Sequence, residues 1–175
     1  HPVDRRQRQM CIRDSGTYAW DCDPNGGHDF ENQFAIDLAN QAYASGQPAA
    51  SINRTVFGAS GQTAISRGAW AQEITNIVQQ PAYVNLGVEA TISGSQLNVK
   101  VEAYYTDNSP ADTNRLIIAL TQDGTVGPQS GATYNPSFIV SDAPNTNYAH
   151  NEYDYLHMDR LVHMLTGING EPLNN

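Results

Sequence analysis

Three features of the sequence predict an α+β fold. Two segments of helical period flank a short proline-led strand between residues 29 and 80. At Pro81 the period changes to strict alternation, and two alternating runs follow with a turn signal between them. Helix, strand, helix is the order of an α/β unit, and alternating runs with one apolar side form an antiparallel sheet with one wet face. A boundary near Pro81 therefore divides the chain into residues 16–80 and 81–175.

The first helix is expected from Asp29 to Ala44, where Phe30, Phe34, Leu38 and Ala42 recur every four residues and Asp29 is a candidate cap. SGQP should stop it, through Gly46 and then Pro48. AASIN reads as a short buried strand, GASGQ as a turn, and Ser66 to Gln80 as a second helix burying Trp70, Ile74, Ile77 and Val78. Pro81 ends it. In YVNLGVEATI, Val84, Leu86, Val88, Ala90 and Ile92 share one face. In QLNVKVEAYY, Leu97, Val99, Val101, Ala103 and Tyr105 do the same, and SGSQ turns one run into the other. RLIIALTQ is a third strand. Residues 123–149 read as loop with one short strand near Phe138, and YLHMDRLVHML fits a helix or an interrupted strand equally well.

Charge divides the chain at another place. Four of its nine basic residues, Arg5, Arg6, Arg8 and Arg13, fall in the first thirteen positions. Beyond residue 15, five basic residues face sixteen acidic ones, a formal charge of −11. No apolar h-region follows the arginines, so the head is not read as a signal peptide. MCIRDS resembles translated sequencing-adapter sequence, and residues 1–15 are expected to be an artefact without regular structure. An acidic body repels phosphate backbones, which argues against nucleic acid as a partner. The longest apolar run, LIIAL, is far short of the roughly eighteen residues a spanning helix needs.

With Cys11 in the head, Cys22 stands alone in the body, and no disulfide framework, CxxC pair or cysteine zinc site can be assembled. In DCDPNGGHDFEN, Asp21, Asp23 and Asn25 alternate before Gly26, as in the opening of a calcium loop. Glu31 comes one position too early for the bidentate ligand and Pro24 interrupts the loop, so the alternative is a solvated Asx-rich turn. Calcium is thus the one cofactor with a candidate site. His150, His157 and His163 lack metal-ligand spacing and are expected to be partly buried and hydrogen-bonded. Seven tyrosines, Tyr83, Tyr104, Tyr105, Tyr134, Tyr148, Tyr153 and Tyr155, crowd the second half, either as a contact surface for protein or glycan or as cross-strand packing. No GxSxG, P-loop or GxGxxG occurs.

PAASINR (Pro48 to Arg54), Trp70 in the helix after it, VGPQ (Val126 to Gln129) and HMDRLVHMLTGINGEPL (His157 to Leu173) occur in that order. Together they resemble the Omp-28 type of surface-exposed outer-membrane lipoprotein from Gram-negative bacteria, over about residues 29–173. The resemblance implies a thioredoxin-like domain followed by an Ig-like β-sandwich. Residues 16–80 would be the C-terminal part of the first and residues 81–175 an incomplete second. It makes Pro48 a structural cis-proline candidate. In redox-active relatives that proline faces a CxxC, whose strand and helix would precede this chain.

The expected function is a non-catalytic cell-envelope protein with a binding or assembly role, held at the membrane only through a lipid anchor on a missing N-terminal segment. The alternatives are a thioredoxin-like disulfide oxidoreductase whose CxxC lies upstream, and a calcium-stabilised surface binding module.

Overall fold

The computed structural model describes residues 9–10, 30, 32–45, 49–57, 61–111, 113–129, 132–147 and 153–173. Its architecture is α+β, with short helices and antiparallel strands in small sheets. Gln9–Met10 is β1. The strand lies antiparallel on β2 (Ala49–Ile52), with Met10 opposite Ser51, and an open strand edge offers backbone partners to any extended segment nearby.

The first helix, α1, spans Gln33–Gln41, a shorter element than the sequence predicts. Its cap is Asn32, whose Oδ1 accepts from the Ala35 amide at 3.0 Å, rather than Asp29. Ala35, Leu38, Ala39 and Ala42 form the buried stripe at helical spacing. The helix ends before Gly46 because Tyr43 takes the left-handed conformation (φ 54°) and closes a Schellman motif. Ala44 N–H donates to Ala39 and Tyr43 N–H to Asn40, which satisfies carbonyls the helix would otherwise leave open.

All four residues of β2 are buried. It pairs antiparallel with β3 (Ala64–Ser66), a strand that the sequence does not announce and whose last residue, Ser66, is expected from the sequence to begin the second helix. Ala42, Ala49 and Ala64 pack together, so small side chains set the spacing of helix and sheet. The one polar residue of β2, Ser51, is satisfied by the Thr63 hydroxyl at 3.0 Å. A short 3-10 turn over Arg67–Ala69 leads into α2 (Trp70–Val78), which packs on β2. Ile77 is buried, Trp70 donates its indole N–H to Ile65, and Val78 is exposed, contrary to its predicted place in the core.

Beyond Pro81, β4 (Val84–Ser93) and β5 (Gln96–Tyr105) pair in unbroken antiparallel register from Val84↔Tyr105 to Ser93↔Gln96. Gly94, at φ +61°, opens the two-residue turn between them, as hairpin twist favours.

The predicted third strand is split into β6 (Arg115–Leu116) and β7 (Ala119–Gln122). β8 (Thr125–Gln129) occupies part of the predicted loop, and of the short strand expected near Phe138 there remains a single antiparallel bridge, Ile139 to Tyr155, after a 3-10 turn over Pro136–Phe138. The ambiguous segment is extended: β9 (Tyr153–His157) and β10 (Arg160–Met164) are separated by Met158 and Asp159. β7 pairs with β10 and β8 with β9, and the two pairings keep one register on either side of the unpaired residues 123–124 and 158–159, from Gln122↔Arg160 to Thr125↔His157. These four strands are therefore one bent ribbon. The bend falls at Gly124 (φ +72°) on one strand and Asp159 (φ +57°) on the other, and the Asp123 carboxylate accepts from the Asp159 amide at 2.8 Å. β11 (Glu171–Pro172) returns to pair with β6.

Candidate interaction surface

Alternation along β4 and β5 places every side chain of one face in register with its counterpart, and that face is wholly apolar except for the Tyr105 hydroxyl. Leu86 faces Ala103, Val88 faces Val101, Ala90 faces Val99 and Ile92 faces Leu97. Sequence reasoning assigns this face to the interior. The structure leaves much of it open: Leu86 is 57% exposed, Val88 68% and Ile92 78%, while Val84, Val99, Val101 and Tyr105 are half-buried. The reason is topological. β4 and β5 form a two-stranded sheet of their own, with no other strand at either edge among the described residues. The opposite face carries the hairpin's three charges, Glu89 facing Lys100, and Lys100 bridged to Glu102 at 2.7 Å in solvent.

The other constellation lies where α1 meets the ribbon. Asn32 donates to the Leu161 carbonyl at 2.7 Å, and Phe34 meets His163 edge-on. Phe30 rests on β8 so closely that a Cβ at Gly127 would fall 2.3 Å from its ring. The same ring meets His157 edge-on and carries the Arg160 guanidinium 5.2 Å from its centroid, a cation–π arrangement. His157 is 1% exposed, its Nε2 lies 3.2 Å from the Pro128 carbonyl, and Tyr155 packs against its ring. The expectation of a buried, hydrogen-bonded histidine therefore describes His157, whereas His163 is exposed.

The turn Gly167–Gly170 gathers a third set of contacts. Gln41 from α1 reaches the Asn169 side chain at 2.8 Å, Arg54 reaches the Ile168 carbonyl, and Arg115 donates to the Gly170 carbonyl at 2.9 Å. Burial pushes the Arg54 guanidinium below its usual pKa. Gly170 has no room for a side chain, since a Cβ there would lie 2.6 Å from the Leu116 carbonyl oxygen. Gly127 of VGPQ and Gly170 of GING are thus packing positions. Their signal in the sequence is glycine inside otherwise strand-like or turn-like text, which does not say which ring or carbonyl occupies the space.

The calcium candidates Asp21, Asp23 and Asn25, the cis-proline candidate Pro48, and also Cys22, Tyr148 and His150 lie outside the described residues. Among the described residues, no group of three or more His, Cys, Asp or Glu side chains is close enough to share a metal ion. No helix among them is long and apolar enough to cross a membrane. Of the predicted tyrosine surface, Tyr104 and Tyr134 are exposed on separate elements while Tyr155 is buried, so the described tyrosines do not form one patch.

Residues 36–174 match the family described as outer membrane protein Omp28. No curated protein and no solved structure matches the chain. The family match covers well over half of the 175 residues and includes α2, the hairpin, the bent ribbon and the Gly167–Gly170 turn. The chain therefore belongs to the Omp28 family of outer membrane proteins of the cell envelope.

Proposed function

We propose that this is a non-catalytic envelope protein with a binding or assembly role, and that the apolar face of β4–β5 is the surface that performs it. The exposure of Leu86, Val88 and Ile92 on one regular face is the observation that carries the reading. Contiguous exposed apolar surface on this scale marks interaction sites in soluble domains. Charge is confined to the opposite face, and depletion of charge is the compositional mark of an interface core.

The finer architecture belongs to the same proposal. The succession α1, β2, antiparallel β3 and α2 supports reading residues 16–80 as the C-terminal part of a thioredoxin-like domain. The one-sided hairpin supports reading residues 81–175 as a unit built on an Ig-like β-sandwich plan, in which one sheet packs face to face on another.

Co-sedimentation of the purified chain with isolated outer-membrane fractions tests the role. Val88→Asp and Ile92→Asp should each reduce the bound fraction at least fivefold, while Thr91→Asp, on the polar face, should leave it unchanged. Equal retention of all three variants, or no retention of the parent chain, would overturn the reading.

A further inference from the structure

Two of the sequence motifs meet at the Gly167–Gly170 turn. Arg54 closes PAASINR, and the turn itself lies in HMDRLVHMLTGINGEPL. Arg54 points Nη2 at the Ile168 carbonyl at 3.4 Å, and Arg115 points Nη1 at the Asn169 and Gly170 carbonyls at 3.4 and 2.9 Å. Two guanidiniums therefore stand at three successive carbonyls of one turn. We propose that they form, with the Asn169 amide, a binding site for a phosphate group carrying two negative charges. The site is independent of the role assigned to the hairpin.

The first argument is charge. Like charges drawn to one turn repel, and an anion held between them removes the repulsion. Beyond residue 15 the chain has sixteen acidic residues, yet among the described residues neither arginine makes an ion pair. Lys100, by contrast, has its carboxylate in Glu102. Glu171 on β11 is opposite Leu116 whereas Arg115 is opposite Pro172, so strand alternation turns Glu171 to the other face. Arg54 is partly withdrawn from water without a counter-charge, which is why its pKa is lowered.

The second argument is that these groups are held in place but not used up. Asn53 and Arg54 both take the left-handed conformation, at φ 50° each, which residues with a side chain adopt only where their surroundings enforce it. The Arg54 contact at 3.4 Å is at the long limit of a hydrogen bond, so most of its fork is free for a ligand. Asn169 accepts from Gln41 through Oδ1 at 2.8 Å, which leaves its Nδ2 as a donor. Arg54, Arg115 and Asn169 are all exposed, so a ligand can reach them.

The third argument decides the class of ligand. A carboxylate carries one charge and is matched by one guanidinium fork. Two forks and an amide donor match a tetrahedral group with three outward oxygens and a double charge. Such a group meets an envelope protein either as a soluble phosphate or as a phosphorylated lipid headgroup. With two or three charge-assisted hydrogen bonds at an exposed site, the dissociation constant should be on the order of 1 mM.

Phosphorus NMR of inorganic phosphate titrated with the full chain at low ionic strength tests the site. The resonance should broaden saturably. Arg54→Gln and Arg115→Gln should each weaken binding at least fivefold. Arg67→Gln, which removes the same charge from the 3-10 turn before α2, should leave it unchanged. Because Arg115 also braces the turn, a second measurement uses the unmutated chain: phosphate should slow the modification of Arg54 and Arg115 by phenylglyoxal at least threefold and leave that of Arg67 unaltered. No broadening, binding insensitive to both variants, equal protection of all three arginines, or displacement of phosphate by an equal concentration of acetate overturns the proposal. Co-sedimentation with phosphatidylcholine vesicles containing phosphatidic acid separates the two sources. Retention above that on phosphatidylcholine alone, lost in Arg54→Gln, identifies a headgroup, and phosphate binding without such retention identifies a soluble phosphate.

Discussion

The hairpin β4–β5 and the bent ribbon β7–β10 are both antiparallel pairings of two long stretches, and they solve the same problem in opposite ways. The hairpin is regular over ten pairs and leaves much of its apolar face in solvent. The ribbon is interrupted by a bulge between Leu161 and His163 and by a bend at Gly124 and Asp159. It buries Tyr155, His157 and Met164 and has α1 packed against β10. Bends and bulges let a narrow sheet curl around a helix. Regularity preserves a flat face that only another flat face can cover.

If that contrast is right, shortening a side chain should cost far more on the ribbon than on the hairpin. Met164, 2% exposed, is expected to lose about 3 kcal/mol on Met164→Ala, because the cavity adds to the lost transfer energy. Urea denaturation measures it, and a loss comparable to that of a hairpin variant would abolish the distinction. Gly127→Ala comes next, at about 2 kcal/mol, since the new methyl group must displace the Phe30 ring. Phe30→Ala in the same chain should remove most of that penalty, and a double-mutant cycle with no coupling would show that the ring does not hold this place.

The hairpin was readable from the sequence because nothing interrupts its period. Ten alternating residues, a glycine-bearing turn and ten more fix both register and face, although they cannot say whether the face is covered. The ribbon was hard to read for the reasons that make it a ribbon. The bulge at Leu161/His163 inserts one residue, so Met158, Leu161, Val162 and Leu165 imitate a helical stripe while the backbone is extended. Gly124 and Pro128 break the alternation of β8. At α1, Asp29 and Gly46 are good terminal signals by composition, but Asn32 and Tyr43 make the hydrogen bonds that end the helix. The contacts converging on Gly167–Gly170 join residues more than fifty positions apart, and no local pattern encodes that meeting.

The junction between helix and ribbon offers an intermediate effect. Asn32 both caps α1 and donates to Leu161, so Asn32→Ala removes a cap worth about 1 kcal/mol and a tertiary hydrogen bond worth about as much again. Asn32→Ser keeps a hydroxyl that can accept at the cap and lacks the reach to Leu161, so it should recover roughly half the loss. Thermal unfolding of the two variants separates the local contribution from the tertiary one. Equal destabilisation by both would mean that the cap contributes nothing.

The smallest effect is expected on the hairpin itself. Val88→Thr keeps the β-branched shape and alters only the polarity of a side chain already 68% exposed, so a dilute solution should change by less than about 0.5 kcal/mol. That small number is informative because it should not stay constant. If the hairpin binds outer membranes, the folded state is linked to binding and the penalty must grow when membrane fractions are added. The hydroxyl then enters an apolar contact without a partner, so the difference in unfolding midpoint between parent and Val88→Thr should widen in their presence. A difference that is small and identical with and without them would mean that Val88 faces solvent in both, and that the regularity of β4–β5 is sustained by its own ladder alone.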